Sequence, residues 1–259
     1  MEAQKITAAE QPLVQVVEQE PLLRRRVLET SIVQLDELVG GFNASTVALF
    51  DSDNSYSSTL LHMLCVRAIS QFDEEVVWID GGNVVNPYSI SSLCKRLRFD
   101  KRDILSRVNI SRAFTAYQLV TLIDEKLEEQ VRRSTPCAII VSSITELFLD
   151  KDMRWMEAHQ LLRRCVDDIS MITKDYETIT FLSNDTHHNS RPSPGLTTLL
   201  YDGSNTVLQI RKRKNGLLIR SPRKDREILF SPVHWNQLTL DEFRGDFDGK
   251  DSSDLSFGP

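Results

Sequence analysis

The chain has 259 residues, of which 41% are hydrophobic and 26% charged, and a formal net charge of −6. These proportions suit a water-soluble globular protein and exclude a low-complexity or collagen-like chain; no apolar run approaches the roughly 18–20 residues of a membrane helix, and no signal-peptide core is present, so a cytoplasmic protein with no membrane contact is expected. The acidic balance gives no global attraction to nucleic acid, so any such contact must come from a local patch.

In chain order, residues 1–26 form a Glu/Gln/Ala-rich arm ending in the basic cluster Arg24–Arg26, expected to be loose. Residues 27–240 form one core domain. Within it, Val47–Phe50, Val76–Asp80, Ala138–Ser142 and Thr178–Leu182 are apolar runs of strand length. Between them, Ser58–Phe72, Tyr88–Leu97, Ala116–Arg133 and Arg154–Lys174 have helical spacing, which places the clustered Trp155 and Met156 on a helix, in a core or interface. Strict alternation of this kind predicts right-handed βαβ units and a parallel sheet covered on both faces. From Thr206 the pattern changes to strands joined by tight turns, with Asn215-Gly216 as a hairpin signal. Residues 241–259 carry six acids against Arg244 and Lys250 and read as a disordered acidic tail. Cys65, Cys94, Cys137 and Cys165 show no C-x-x-C spacing and lie in apolar segments, as reduced core cysteines do.

The first strand, loop and helix, VALFDSDNSYSSTLL over residues 47–61, has the layout of a phosphate-binding loop, G-x-x-x-x-G-K-[ST]. Aligned on that template, Asp51 and Tyr56 stand where glycines belong and Ser57 where the lysine belongs; Ser58 alone keeps the hydroxyl type. Glycines let backbone N–H groups wrap a phosphate, and the lysine neutralises it. This loop has neither, and Asp51 and Asp53 set negative charge beside the anion site.

Several segments together resemble the RecA/RadA recombinase superfamily. TSIVQLDELVGG (residues 30–41) is similar to the lead-in before its phosphate loop, and VVWIDGGNVVNPYSI (residues 76–90) to its second core strand and turn. VNISRAFTAYQLVTLIDEKL (residues 108–127) resembles the approach to its next helix, and CAIIVSS (residues 137–143) its Walker B strand. The resemblance covers roughly residues 28–232 and is nearest in character to small archaeal RadA paralogues. It implies a doubly wound α/β fold with a mainly parallel sheet flanked by helices and antiparallel strands at the end. It also implies which residues should hydrolyse ATP, and those are missing. Gly82 stands at the glutamate base, Ser142 at the Walker B aspartate, and Asp80 at a structural aspartate that orders the turn. Asn184, at the polar sensor position, is either a surviving sensor or a turn residue. Losing lysine, base and metal ligand together predicts a pseudo-ATPase with no cofactor, weak ATP binding being left open.

Other chemistry is thin. His187 and His188 are adjacent and point apart, so a solvated loop is favoured over a metal site with Asp185. The stretch Asp185–Leu200, where the recombinases carry a DNA-binding loop, holds one basic residue, Arg191. A denser basic signal is Arg211, Lys212, Arg213 and Lys214, followed by Arg220, Arg223, Lys224 and Arg226. On a hairpin this is either a ribbon that tracks phosphates or a sheet edge blunted by charge. The expected function is that of a non-catalytic recombinase paralogue, an accessory or regulatory factor in DNA recombination and repair. Its expected partners are single-stranded DNA and a RecA/RadA-type recombinase or another repair subunit. The alternatives are a protein-interaction scaffold outside DNA repair and a weak ATPase. No F-x-x-A polymerisation motif is visible before Val27.

Overall fold

The computed structural model describes residues 26–53, 55–185 and 193–231. In chain order they form β1 (Val27–Leu28), α1 (Val33–Val39), β2 (Phe42–Asn43), β3 (Thr46–Ser52), α2 (Tyr56–Phe72), β4 (Val76–Asp80), α3 (Pro87–Leu97), α4 (Lys101–Ser106) and β5 (Val108–Arg112). There follow α5 (Ala116–Thr121), α6 (Glu128–Ser134), β6 (Ala138–Ser142), α7 (Trp155–Asp175), β7 (Ile179–Asp185), α8 (Pro194–Asp202), β8 (Thr206–Arg213), β9 (Gly216–Ser221) and β10 (Arg226–Phe230). A π-helical stretch, Leu122–Leu127, joins α5 to α6, and a 3-10 turn, Glu146–Leu149, follows β6.

Eight strands make one sheet in the order β10-β9-β8-β3-β7-β6-β4-β5. From β8 to β5 every pair is parallel, and β9 and β10 close the other side antiparallel. A parallel sheet is covered on both faces, so its strands are apolar throughout rather than alternating, as β6 and β4 are. Successive side chains still divide between two layers. Val76 and Trp78 of β4 pack with α2, α3 and α4, while Val77 and Ile79 pack with α5, α7 and the π stretch. In the first layer Phe181 meets Phe42 edge-on at 5.0 Å and stacks on Phe50 at 5.9 Å. All four cysteines are buried and free, and burial raises their thiol pKa values away from reactivity. No described helix is long and apolar enough to cross a membrane.

The doubly wound α/β fold with terminal antiparallel strands is thus the one expected, and the differences are local. β3 continues past Phe50 to Ser52 because β7 and β8 pair with it on both sides to that point. Asp51 and Ser52 therefore belong to the strand, not the loop. The helix expected over Ala116–Arg133 contains the π turn, since one inserted residue leaves the apolar periodicity nearly intact. β5 escaped the strand pattern because it is an edge strand with three of its five residues exposed. The two-residue hairpin loop is Lys214–Asn215, one position earlier than expected; Gly216 opens β9 at φ 140°, where a Cβ would come within 2.6 Å of the Phe230 carbonyl oxygen. Trp155 and Met156 are not core residues: both are exposed in the first turn of α7. The arm up to Arg25, His187, His188, Arg191 and the acidic tail lie outside the described residues.

The π stretch carries a tense contact. Asp124 forms an ion pair with Arg164 of α7 and lies beside Asp168 of the same helix, whose Oδ2 is buried without a hydrogen-bond partner. Burial first, then the hydrogen bond and charge of Asp124, push the Asp168 carboxyl up to about 6. The folded state therefore holds a proton that the unfolded chain has released, and this contribution to stability declines as pH rises from about 4 through 6. Asp168→Asn is expected to raise the melting temperature at pH 7.5 and to flatten its decline between pH 4.5 and 7, as followed by circular dichroism. An unchanged pH profile would remove the carboxyl pair as its cause.

Candidate functional site

In an open parallel sheet the ligand crevice lies beyond the carboxyl ends of the strands. Here that crevice is bounded by Asp51-Ser52 on β3, Asn184-Asp185 on β7, Ser142 on β6 and Asp80 on β4, all buried. Parity along the strands sends these groups to different faces. Asp51 and Asn184 are register partners on the α7–α8 side, and Ser52 and Asp185 are partners on the α2 side.

The first cluster surrounds Asp51, whose side chain is 4% exposed. Its Oδ2 accepts hydrogen bonds from Arg211 Nη2 at 2.5 Å and the Tyr201 hydroxyl at 2.7 Å, and its Oδ1 from Asn184 Nδ2 at 2.8 Å. Arg211 Nη1 also donates to the Asp51 carbonyl at 2.8 Å. Outer groups hold these in place: Gln209 Nε2 donates to the Tyr201 oxygen at 2.9 Å, and the Thr145 hydroxyl donates to Asn184 Oδ1. Burial, then the Asp51 bond and charge, push the Tyr201 phenol up to about 12, against the Gln209 bond, which lowers it, so it remains a donor. Arg211 is thus an internal counter-charge, made possible because β8 runs beside β3 and carries Gln209 and Arg211 on the same face as Asp51.

The second cluster surrounds Asp185. The Ser57 hydroxyl donates to its Oδ1, and the hydroxyls of Ser143 and Ser183 each donate to its Oδ2 at 3.0 Å. Ser57, at the position of the missing lysine, lies in the first turn of α2. Ser58 turns back, donating to the Ser55 carbonyl at 2.8 Å, and Tyr56 packs against Phe230 with ring centres 5.9 Å apart.

The third cluster surrounds Asp80. Its carboxylate accepts the N–H groups of Gly82, Val84 and Val85 at 3.3, 3.0 and 3.1 Å, and the Arg112 guanidinium at 3.1 Å. It orders the turn after β4, as expected. Ser142 bridges it to the core, accepting from Trp78 Nε1 and donating to Asp80 Oδ1, both at 3.0 Å. Beside Trp78, burial holds the His62 imidazole below its usual pKa. Its Nδ1–H donates to the Ser58 carbonyl at 2.5 Å, leaving Nε2 to accept the Asn86 N–H at 2.9 Å.

These residues do not fit a magnesium nucleotide. The hydroxyls that could meet a phosphate already meet Asp185, the nearby guanidinium is bound to Asp51, and Ser142 is engaged at the metal-ligand position. A Cβ at Gly82 would overlap Ser143 and lie 2.8 Å from Glu146 Oε2, so there is no room for the missing glutamate either. Asn184 is a structural bridge between Asp51 and Thr145, neither a turn residue nor a group open to ligand. Among the described residues, no cluster of three or more metal-ligating side chains could hold a metal ion.

Several basic side chains around the hairpin bond oxygens within the domain. Arg223 donates to the Tyr201 and Ser204 carbonyls at 2.7 and 2.6 Å, Lys224 to the Val39 carbonyl at 2.6 Å, and Arg226 to the Glu37 carbonyl at 3.3 Å. The last two satisfy the C-terminal carbonyls of α1. Arg220 pairs with Asp225 at 3.2 Å and stands across from Gln209 and Glu227, on the sheet face that also carries Arg211 and Arg213. Lys212, Arg213 and Lys214 are exposed at the hairpin tip. Asp185, Tyr201, Gln209 and Thr145 were not singled out as parts of this site by sequence; the one available signal was an acid closing an apolar parallel strand.

Arg211→Ala is expected to cost about 2–3 kcal/mol in urea unfolding, because it leaves Asp51 buried and uncompensated, while Arg213→Ala costs under about 0.5 kcal/mol. Equal effects would refute the internal role of Arg211. Gly82→Glu is expected to destabilise strongly, through its overlap with Ser143.

The model of the Rad51 family matches residues 24–196, more than half of the chain. No curated protein matches it. The matched span runs from three residues before β1 into the first turn of α8 and includes all three clusters except the β8 residues and Tyr201. With the strand order and helices of a RecA-like sheet already in place, the match fixes descent: the chain belongs to the Rad51 family.

Proposed function

We propose that this Rad51-family chain is a non-catalytic accessory or regulatory factor in DNA recombination and repair, a pseudo-ATPase that works through contacts. The observation that carries this reading is the filling of the phosphate-loop region by Asp185 and Asp51, each already holding the hydroxyls and guanidinium that a nucleotide would need. Phosphoryl transfer depends on positioned positive charge, and two carboxylates there oppose it. In this reading single-stranded DNA is met by Lys212, Arg213 and Lys214, exposed at the tip of the β8–β9 hairpin. Arg211, Arg220, Arg223, Lys224 and Arg226 serve the fold. A recombinase of the same family, or another repair subunit, is the protein partner.

A second reading, an interaction scaffold outside DNA repair, is favoured by the outer edge of β5, which pairs with no strand among the described residues. Beside it lies a pocket of about 180 Å³ with an apolar floor of Val77, Ile79 and Leu122 and a rim that includes Lys126 and Arg133. An exposed strand edge next to such a pocket suits an added peptide strand.

The purified protein is expected to release no phosphate from ATP above a blank, with or without DNA. Millimolar Mg-ATP should leave its melting temperature unchanged, since stabilisation follows RT ln(1 + [L]/Kd). A shift of several degrees would overturn the pseudo-ATPase reading. Replacing Lys212, Arg213 and Lys214 together by alanine should weaken single-stranded DNA binding for all sequences alike. It should also flatten log K against log salt by about 0.7 per lost phosphate contact. If the wild type binds no DNA at low salt, the scaffold reading takes its place.

A further inference from the structure

The Asp185 carboxylate has the surroundings of a bound ligand. It ends β7, and three hydroxyls from three different elements converge on its two oxygens: Ser57 from α2, Ser143 from the turn after β6, and Ser183 from β7 itself. Ser57, Ser143 and Ser183 are fully buried and Asp185 is 8% exposed. The Ser143 N–H donates in turn to the Ser183 oxygen at 2.8 Å, which fixes that hydroxyl in place. Helix α2 is 17 residues long and presents its N-terminal first turn, through Ser57, to this carboxylate. Its positive dipole end and the convergent hydroxyl donors form a cradle for a small oxyanion, and the chain supplies the oxyanion itself.

We propose that Asp185 is the resident anion of the degenerate loop, a covalently tethered substitute for phosphate that ties α2, β6 and β7 together. This rests on the reading that the loop takes no nucleotide. If the carboxylate is a ligand, removing it exposes a cryptic site for a free carboxylate of the same size. Asp185→Ala leaves three buried donors facing a cavity with no acceptor, a costly arrangement that a diffusible anion relieves.

The test is chemical rescue of the full-length chain. Asp185→Ala is expected to melt several degrees below wild type, and sodium formate is expected to recover most of that loss saturably. Sodium chloride at equal ionic strength should not, and neither salt should discriminate in the wild type. Adding Ser57→Ala to Asp185→Ala should weaken the formate effect. Identical responses to formate and chloride would overturn the proposal, as would an Asp185→Ala protein as stable as wild type. If Asp185→Ala fails to fold, Asp185→Asn decides: its amide fills the cradle but brings no charge and offers one acceptor oxygen. It is expected to melt below wild type and to ignore formate; a melting temperature equal to wild type would overturn the proposal. A separate titration of ATP into the wild type keeps the two claims apart. Micromolar ATP binding would remove the underlying reading whatever formate does, while failed rescue with no ATP binding would remove only the resident anion.

Discussion

Asp51 and Asp185 lie at the carboxyl ends of adjacent parallel strands with their carboxylates almost out of water, and much of the site follows from how each is compensated. Burying an ionised carboxylate costs several kcal/mol unless charge or hydrogen bonds replace the lost water. Strand parity sends the two groups to opposite faces, so one solution cannot serve both. Asp51 takes a guanidinium, a phenol and an amide from β8, α8 and β7; Asp185 takes hydroxyls from α2, the turn after β6, and β7. Together these contacts add side-chain ties to the backbone ladder at the crevice end of the sheet.

Oxygens in need of a donor also engage much of the basic content of the last part of the described chain. Eight lysines and arginines follow one another between Arg211 and Arg226, and in sequence they look like a surface for polyanions. In the fold, five of them satisfy carbonyl or carboxylate oxygens within the domain. Positive charge here meets the C-terminus of α1, the turn before β10 and the buried carboxylate of Asp51. Lys212, Arg213 and Lys214 stand exposed at the hairpin tip.

The architecture was legible because it rests on features that single residues announce. Four apolar runs of strand length alternated with helical periodicity, and buried parallel strands read as unbroken apolar runs. The loss of glycine and lysine from the loop was equally plain. The replacement was not. Arg211 lies 160 positions from Asp51, and Asp185 lies 128 from Ser57, so nothing local links them. Recognising Arg211 as an internal counter-ion required knowing that β8 pairs with β3, a register fixed by the tertiary fold. The π turn was hidden because one extra residue barely disturbs an apolar stripe, and β5 because an exposed edge strand carries little hydrophobic signal.

In the proposed pseudo-ATPase, the chain's own side chains hold the positions a nucleotide's phosphates would need. The most direct measurement is a crystal structure grown with saturating magnesium and a non-hydrolysable ATP analogue. The Asp51–Arg211 pair and the Ser57–Asp185 hydrogen bond are expected in place, with no triphosphate between β3 and α2. Triphosphate density along residues 51–58, with Asp185 swung away from Ser57, would contradict it.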